Sequence, residues 1–208
     1  MTSGPNIFDT TRQEYLRRIG ETDLREIAQK IGATYVKNTL IAPLVTRNYM
    51  ISPKAVTDEQ DREAPFPVCV LLSRYILHCP AFPSGNTNWT AFRDFPGTSP
   101  LLCYFTGEIE DALAKFFANG LPLLQKCCTD LGGRIAEPAV HYDLGCAFTA
   151  LPKLRLLLLF NDADEEFPAA ATLLFEKMAG DYLDPESLAI LARHLYERLQ
   201  EIAGMQIA

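Results

Sequence analysis

The chain has 208 residues, of which 48% are hydrophobic and 22% are charged, so it can bury a core large enough for a globular domain. Its formal net charge is −7, from 19 basic and 26 acidic residues, which argues against binding to nucleic acids because their phosphates attract basic surfaces. The most apolar stretch, LRLLLLF at 154–160, is far shorter than the roughly 20 residues needed to cross a bilayer, so no membrane span is predicted.

The N-terminal segment and the cysteines indicate the compartment. Residues 1–20 lack the basic start and apolar centre of a secretory signal peptide, so we expect a cytoplasmic protein. The six cysteines contain no C-x-x-C pair. This spacing favours reduced and mostly buried thiols over a disulfide framework, a zinc site or an iron–sulfur cluster.

The first 80 residues predict helices, then strands, then another helix. TRQEYLRRIG and TDLREIAQKIG are typical of two short helices, the second capped by Asp23 and ended by Gly32. Residues 34–56 are rich in β-branched and aromatic residues without a helical period, which predicts strands or a hairpin. Between Val68 and Cys79, apolar residues recur at helical spacing, which predicts a core-facing helix ended by Pro80.

Residues 80–100 are too rich in Pro, Gly, Ser and Asn to predict a regular element, and we call them the aromatic loop. A long ordered loop of this kind is typical of functional sites. Its large aromatic residues are Phe82, Trp89, Phe92 and Phe95.

The rest of the chain predicts two helices, an extended region and two final helices. The first two cover about 109–120 and 121–132, and extended segments such as AVHYD and CAFTA follow over 133–160. One final helix is predicted to begin near Pro168. The other is predicted to be capped by Asp184 and to end at Gly204.

The order of these elements predicts the fold class. Helices that cluster around strands, instead of alternating with them one for one, favour an α+β fold. We therefore predict a mixed or antiparallel sheet surrounded by several helices. A single domain is expected over 1–208, with N-terminal helices in 1–33 and the remaining core in 34–208.

Three motifs in this order carry a family resemblance: YILHCP, WTAFRDFPG, and the long run from LLLLFNDADEEFP to DYLDPESLAIL. Over roughly residues 35–200 the chain resembles domain-of-unknown-function family 3786, in which Glu176 stands where the pattern has Asp. The resemblance implies occurrence among anaerobes and association with a four-cysteine iron–sulfur domain of the type found in corrinoid proteins. A corrinoid is therefore a candidate cofactor, and haem is another because an imidazole such as that of His78 can bind haem iron.

The segment NDADEEFP places Asp162, Asp164, Glu165 and Glu166 directly after an apolar strand, and we call 162–166 the acidic segment. Three interpretations stay open: the N-terminus of a helix, where the dipole favours negative charge; oxygen ligands for Mg²⁺ or Ca²⁺; or ligand and proton chemistry. The residue before Pro168 is Phe167, a poor capping residue. Glu165 or Glu166 is therefore predicted to turn inward and pair with Arg93.

His78 lies at the edge of its predicted helix, next to the aromatic loop, and imidazole suits proton transfer and metal binding. The sequence contains no zinc-protease, hydrolase-elbow, P-loop or dinucleotide motif, and no metal site is predicted.

Two functions therefore remain open. The first is a ligand- or cofactor-binding accessory protein in anaerobic redox or corrinoid and iron–sulfur metabolism, with a small molecule or a redox protein as partner. Its binding residues would be Trp89, Phe92, Arg93, Phe95, Asp164 and His78. The second is a small enzyme that uses the carboxylate of Glu165 or Glu166 with His78 in acid–base chemistry.

Overall fold

Two antiparallel sheets organise the computed structural model, which describes residues 6–136 and 142–207. The first sheet contains, in spatial order, β1 (Thr34–Val36), β2 (Thr39–Leu44), β3 (Arg47–Ile51) and β4 (Val56–Thr57). The second sheet contains, in spatial order, β5 (Trp89–Ala91), β9 (Ala170–Glu176), β8 (Leu154–Asn161), β7 (Leu144–Leu151) and β6 (Arg134–Ala136).

The helices surround these sheets and share one core with them. Their bounds are α1 Ile7–Gly20, α2 Leu24–Ile31, α3 Phe66–Leu77, α4 Leu102–Phe105, α5 Asp111–Phe117, α6 Leu121–Asp130, α7 Ala179–Tyr182 and α8 Pro185–Ile207. A π-helical turn, Thr106–Glu110, joins α4 to α5. The predicted α+β class is confirmed, with antiparallel pairing in both sheets. No helix of the described ranges is both long enough and apolar enough to cross a membrane.

Caps and apolar patterns within a few residues predict most of the helices and strands in the N-terminal half of the chain. The Asp23 carboxylate accepts hydrogen bonds from the backbone N–H groups of Arg25 and Glu26 at the start of α2. Gly32 ends this helix at φ +74°, a conformation that costs glycine little because it has no Cβ. The predicted strands in 34–56 form the β1–β4 meander, and α3 ends next to His78 as its apolar spacing predicts. The predicted extended segment AVHYD, with His141, falls mostly outside the described residues.

The prediction of a helix that begins near Pro168 is wrong, because residues 170–176 form β9. This strand lies antiparallel to β8, with Leu158 opposite Leu173 and Leu156 opposite Phe175. The alanine-rich sequence favours a helix, but pairing with β8 buries Leu173 and Phe175 completely and decides the conformation. The acidic segment therefore lies in the connection between β8 and β9, not at a helix N-terminus.

The aromatic loop folds onto the protein body through β9. Residues Trp89–Ala91 form β5, which pairs with the end of β9. Phe92 is 2% exposed and stacks on Phe105 with ring centroids 4.0 Å apart. Phe95 is also buried and meets the ring of Phe175 edge-on. Phe82 and Trp89 remain exposed, so two of the four aromatic side chains anchor the loop.

The last helix, α8, packs against α3 and α6. Asp184 accepts a hydrogen bond from the N–H of Ser187 and also pairs with Arg74 of α3, which fixes the start of the helix. α8 continues past Gly204 to Ile207, so its predicted end is wrong. Its predicted apolar stripe is buried: Leu188, Leu191, Ala192, Leu195 and Leu199.

Candidate functional site

The acidic segment has structural partners for two of its four carboxylates. Asp162 accepts hydrogen bonds from the backbone N–H groups of Asn119 (2.6 Å) and Leu121 (3.2 Å), where α6 begins. Asp164 accepts hydrogen bonds from the N–H groups of Glu166 and Phe167, and these bonds lower its pKa. Glu165 and Glu166 are exposed. Within the described ranges, no group of three or more His, Cys, Asp or Glu side chains is placed to hold a metal ion.

The predicted salt bridge between Arg93 and Glu165 or Glu166 is absent. The side chain of Arg93 is 76% exposed, and its ion pair in the described part of the chain is with Asp94 at 4.0 Å. The reason is that β5 leads into a 3-10 turn, Phe92–Asp94, beside β9. Burial of Phe92 in this turn leaves Arg93 on the outer side.

His78 ends α3 and is exposed. Partial burial lowers the pKa of its imidazole; Arg74 lowers it further, while Asp184 raises it. Its charged neighbours therefore belong to the junction of α3 and α8. No hydrogen bond or ion pair between described residues links His78 to Glu165 or Glu166.

The buried acid of this region is Glu176, at the end of β9. Its side chain is 3% exposed, and its Oε1 accepts hydrogen bonds from Arg155 Nε at 2.9 Å and Nη2 at 2.6 Å. The guanidinium of Arg155 also lies 5.6 Å from the centroid of the Trp89 ring. Trp89, a predicted binding residue, therefore covers a structural ion pair between two strands.

A cavity of about 420 Å³ lies where β5 ends, and Phe92 and Arg93 are among its lining residues. The π-helical turn aims Glu110 into this region, where Oε1 accepts a hydrogen bond from the N–H of Leu173 at 2.9 Å. Burial raises the pKa of Glu110, and Arg93 lowers it. Of the predicted binding residues, Trp89, Phe95, Asp164 and His78 do not line this cavity.

A larger cavity, of about 750 Å³, lies beside the last helix, and we call it the α8 cavity. It is bounded by β3, by the connection before α3, by α4 and by α8. Its apolar and aromatic lining includes Tyr49, Pro65, Val68, Tyr104 and Ile190.

One end of the α8 cavity concentrates charge, and we define it by Arg47, Tyr49, His194, Arg198 and Glu201 as the arginine end. The two carboxylate oxygens of Glu201 accept one hydrogen bond from each arginine. Arg198 is only 11% exposed, and Arg47 is 39% exposed. Two guanidinium groups therefore share one carboxylate.

His194 is the buried imidazole of the arginine end, at 8% exposure. Its Nε2 and the Nε of Arg198 are shut off from solvent and have no hydrogen-bond partner among the described residues. Burial, followed by the positive charges of Arg198 and Arg47, lowers the pKa of His194 to about 4. The imidazole is therefore neutral at pH 7.

Sequence reasoning missed this site, although one signal was present. His194, Arg198 and Glu201 recur at i, i+4 and i+7, which places them along one face of α8 beside its apolar stripe. A polar stripe of this kind on a helix is usually a solvated face. The contribution of Arg47, which is 154 positions from Glu201, comes only from the tertiary fold.

Comparison with known proteins confirms the resemblance seen in the motifs. The chain belongs to the family described as "Domain of unknown function (DUF3786)", whose model matches residues 23–198. Searches of curated proteins and of solved structures found no match. The family description states no activity, so the function has to be argued from the geometry of the chain itself.

Proposed function

We propose that the protein binds a small organic molecule in the α8 cavity and acts as a binding or accessory protein. Ligand sites in proteins are typically about 300–1,000 Å³, with mostly apolar walls and a few convergent polar groups. The α8 cavity, at about 750 Å³, has this size and this mixture. Val68 and Ile190 supply apolar wall, and the arginine end supplies the polar groups.

The observation that carries this proposal is the pair of unsatisfied polar atoms at the arginine end, His194 Nε2 and Arg198 Nε. A buried polar group without a partner costs about 1–3 kcal/mol, and native proteins pair most such groups. Because these atoms are covered in the free protein, a ligand would reach them after a rotation of the side chains. Binding would then recover interactions that the free protein lacks.

Haem and a corrinoid are the candidate cofactors to weigh against this cavity. Haem iron is commonly held by an axial histidine, cysteine, methionine or tyrosine. The cavity offers His194, whose Nε2 is covered in the free protein, so an axial bond to iron would need the same rotation of side chains. A role in anaerobic redox or corrinoid metabolism, or beside a redox protein partner, draws its support from the resemblance.

The cytoplasm is the compartment that we propose for this binding. All six cysteines are free thiols, and Cys69, Cys127, Cys128 and Cys146 are buried. Burial raises the pKa of Cys69, which makes it a weak nucleophile. Unpaired thiols of this kind are typical of proteins from reducing compartments.

A thermal-shift screen of small metabolites tests the proposal with a matched pair of variants. Ile190→Trp places a large ring in the cavity wall, whereas Phe167→Trp changes an exposed residue next to the acidic segment. A ligand present at 100 times its dissociation constant should stabilise the wild type by about 2.7 kcal/mol. We expect this shift to be lost in Ile190→Trp and kept in Phe167→Trp.

The screen contradicts the proposal if no metabolite stabilises the wild type, or if Ile190→Trp keeps the full shift. The melting temperature of each free variant is measured first, so that a folding defect is separated from a binding defect. Haemin and a corrinoid are included as separate samples. An absorption band that survives in Ile190→Trp would place a cofactor site outside the α8 cavity.

A further inference from the structure

We infer that the ligand of the α8 cavity is an amphipathic carboxylate whose anionic group binds at the arginine end, beside Arg47, Arg198 and His194. This inference rests on the proposed function, since it names the chemical class of the molecule that occupies the same cavity. Three features of the site lead to it: the balance of charge, the balance of hydrogen-bond donors, and the position of the apolar wall.

The first feature is a surplus of positive charge at the arginine end. Arg47 and Arg198 both pair with Glu201, so two positive charges face one negative charge. His194 and Tyr49 add no charge at pH 7, because burial lowers the pKa of His194 to about 4 and raises the pKa of Tyr49.

The other charged residues that line the cavity are largely compensated. Arg62 pairs with Asp58 at 2.7 Å, and Arg193 pairs with Glu197 at 2.8 Å. Glu63 pairs with Arg12 at 2.5 Å, and Glu108 is exposed to solvent without an ion pair in the described part of the chain. The cavity lining as a whole therefore carries no net positive charge, and the surplus is local to the arginine end.

The second feature is a surplus of hydrogen-bond donors. A guanidinium carries five N–H donors and no acceptor, and a neutral imidazole carries one N–H donor. Glu201 accepts one bond from each arginine, and the Nε of Arg198 is left without an acceptor. A carboxylate supplies two acceptor oxygens, often in a bidentate arrangement with arginine, and its charge offsets the surplus. A neutral ligand would leave that charge uncompensated.

The third feature is the position of the apolar wall. Pro65, Val68 and Ile190 line the cavity together with the aromatic ring of Tyr104. Tyr104 is 44% exposed, so part of its ring faces the open side of the cavity wall. A molecule with a carboxylate at one end and an apolar or aromatic body at the other matches both surfaces.

His194 supplies an internal reporter of the charge that binds. Burial is the first cause of its low pKa, and the positive charges of Arg198 and Arg47 are the next two, opposed by Glu201. A bound anion would offset the two arginines and raise the pKa of the imidazole. A neutral ligand of the same shape adds burial without charge, so it would leave this pKa low or lower it further.

The experiment compares matched acids and amides, phenylacetate with phenylacetamide and hexanoate with hexanamide, by titration calorimetry and by NMR of the histidine ring. We expect each acid to bind the wild type about tenfold to a hundredfold tighter than its amide, as hydrogen bonds to charged groups allow. The acids, and not the amides, should raise the pKa of His194. Arg198→Gln should remove the preference, and Arg62→Gln, which changes a compensated pair, should keep it.

Arg47→Gln serves as a second variant if Arg198→Gln does not fold, since it removes the other surplus charge. Equal affinity for acid and amide, with changes at His194 in both titrations, would overturn the carboxylate assignment and leave ligand binding in the α8 cavity intact. The same assignment fails if neither pair binds while neutral metabolites from the screen do. If no compound of either kind binds, both the proposed function and this inference fail.

Discussion

The acidic segment has charges that are close together in the sequence, whereas the α8 cavity gathers charges that are far apart in the sequence. The acidic segment has four carboxylates within five residues, yet Glu165 and Glu166 face solvent and Asp162 caps a neighbouring helix. The α8 cavity draws scattered residues together, and His194 and Arg198 keep buried atoms without partners. We therefore base the proposed site on buried polar atoms without compensation beside a cavity, and not on density of charge along the chain.

The largest expected difference between these regions is in packing. Leu191→Ala removes a side chain of α8 that is 1% exposed, and it should lower the free energy of unfolding by about 2–5 kcal/mol. Phe167→Ala, next to the acidic segment and 66% exposed, should change it by no more than about 0.5 kcal/mol. Urea unfolding of both variants measures the contrast. Similar losses of unfolding free energy in the two variants would contradict the packing of α8 in the core.

The second prediction concerns the pH dependence that His194 creates. Its pKa is about 4 in the folded protein, against an ordinary value of 6.5, so the unfolded chain binds more protons between these values. The free energy of unfolding should therefore fall as the pH falls from about 6.5 to about 4. At 1.36 kcal/mol per pKa unit, the contribution of this residue approaches about 3 kcal/mol.

His194→Gln should remove this part of the pH dependence, as measured by urea unfolding at pH 7 and at pH 4. His78→Gln is the matched control, because His78 is exposed at the end of α3, where partial burial lowers the pKa of its imidazole and the charges of Arg74 and Asp184 oppose each other. The control should keep most of the slope. An unchanged slope in His194→Gln would show that this imidazole is not held neutral in the fold.

The third prediction contrasts two arginines. Arg155→Ala leaves the carboxylate of Glu176, 3% exposed, without its charged partner, and should cost about 1–3 kcal/mol of stability. Arg93→Ala removes an arginine that is 76% exposed and pairs weakly with Asp94, so about 0.5 kcal/mol or less is expected. If thermal unfolding shows a larger loss of stability for Arg93→Ala than for Arg155→Ala, the result supports the buried ion pair of Arg93 that the sequence predicts.

The smallest expected effect lies within the acidic segment itself. Asp162→Ala removes the carboxylate that accepts two backbone hydrogen bonds near the start of α6, and should cost about 0.5–2 kcal/mol, as lost helix caps do. Glu165→Ala should leave the free energy of unfolding unchanged within error. An equal change in the free energy of unfolding of both variants would mean that the hydrogen bonds of Asp162 add no more stability than the exposed side chain of Glu165.

The elements that depend on short-range signals could be predicted from the sequence. Asp23 and Gly32 mark both ends of α2, and the sequence from Asp184 to Pro185 marks the start of α8. The strand LRLLLLF is also confirmed, within Leu154–Asn161. The caps at Asp23, Gly32 and Asp184 act within a few residues of the signal, and the apolar run of β8 suits the buried centre of a sheet, so the local pattern and the fold agree.

The elements that depend on distant partners could not be predicted in this way. Residues 170–176 have a composition that suits a helix, and pairing with β8 on one side and β5 on the other makes a strand more stable. The ion pair of Arg155 with Glu176 joins residues 21 positions apart on neighbouring strands. The arginine end requires Arg47 from β3 beside α8, and no local pattern encodes that approach.

The measurement that tests the central claim most directly is NMR mapping of a stabilising metabolite from the thermal-shift screen. The account predicts that the largest changes of chemical shift occur at the His194 ring and the Arg198 side chain. The backbone amides of residues 163–167 should not change. Changes concentrated in the acidic segment, or at Glu110 and Arg93 where β5 ends, with none at His194, would contradict the claim that the α8 cavity is the binding site.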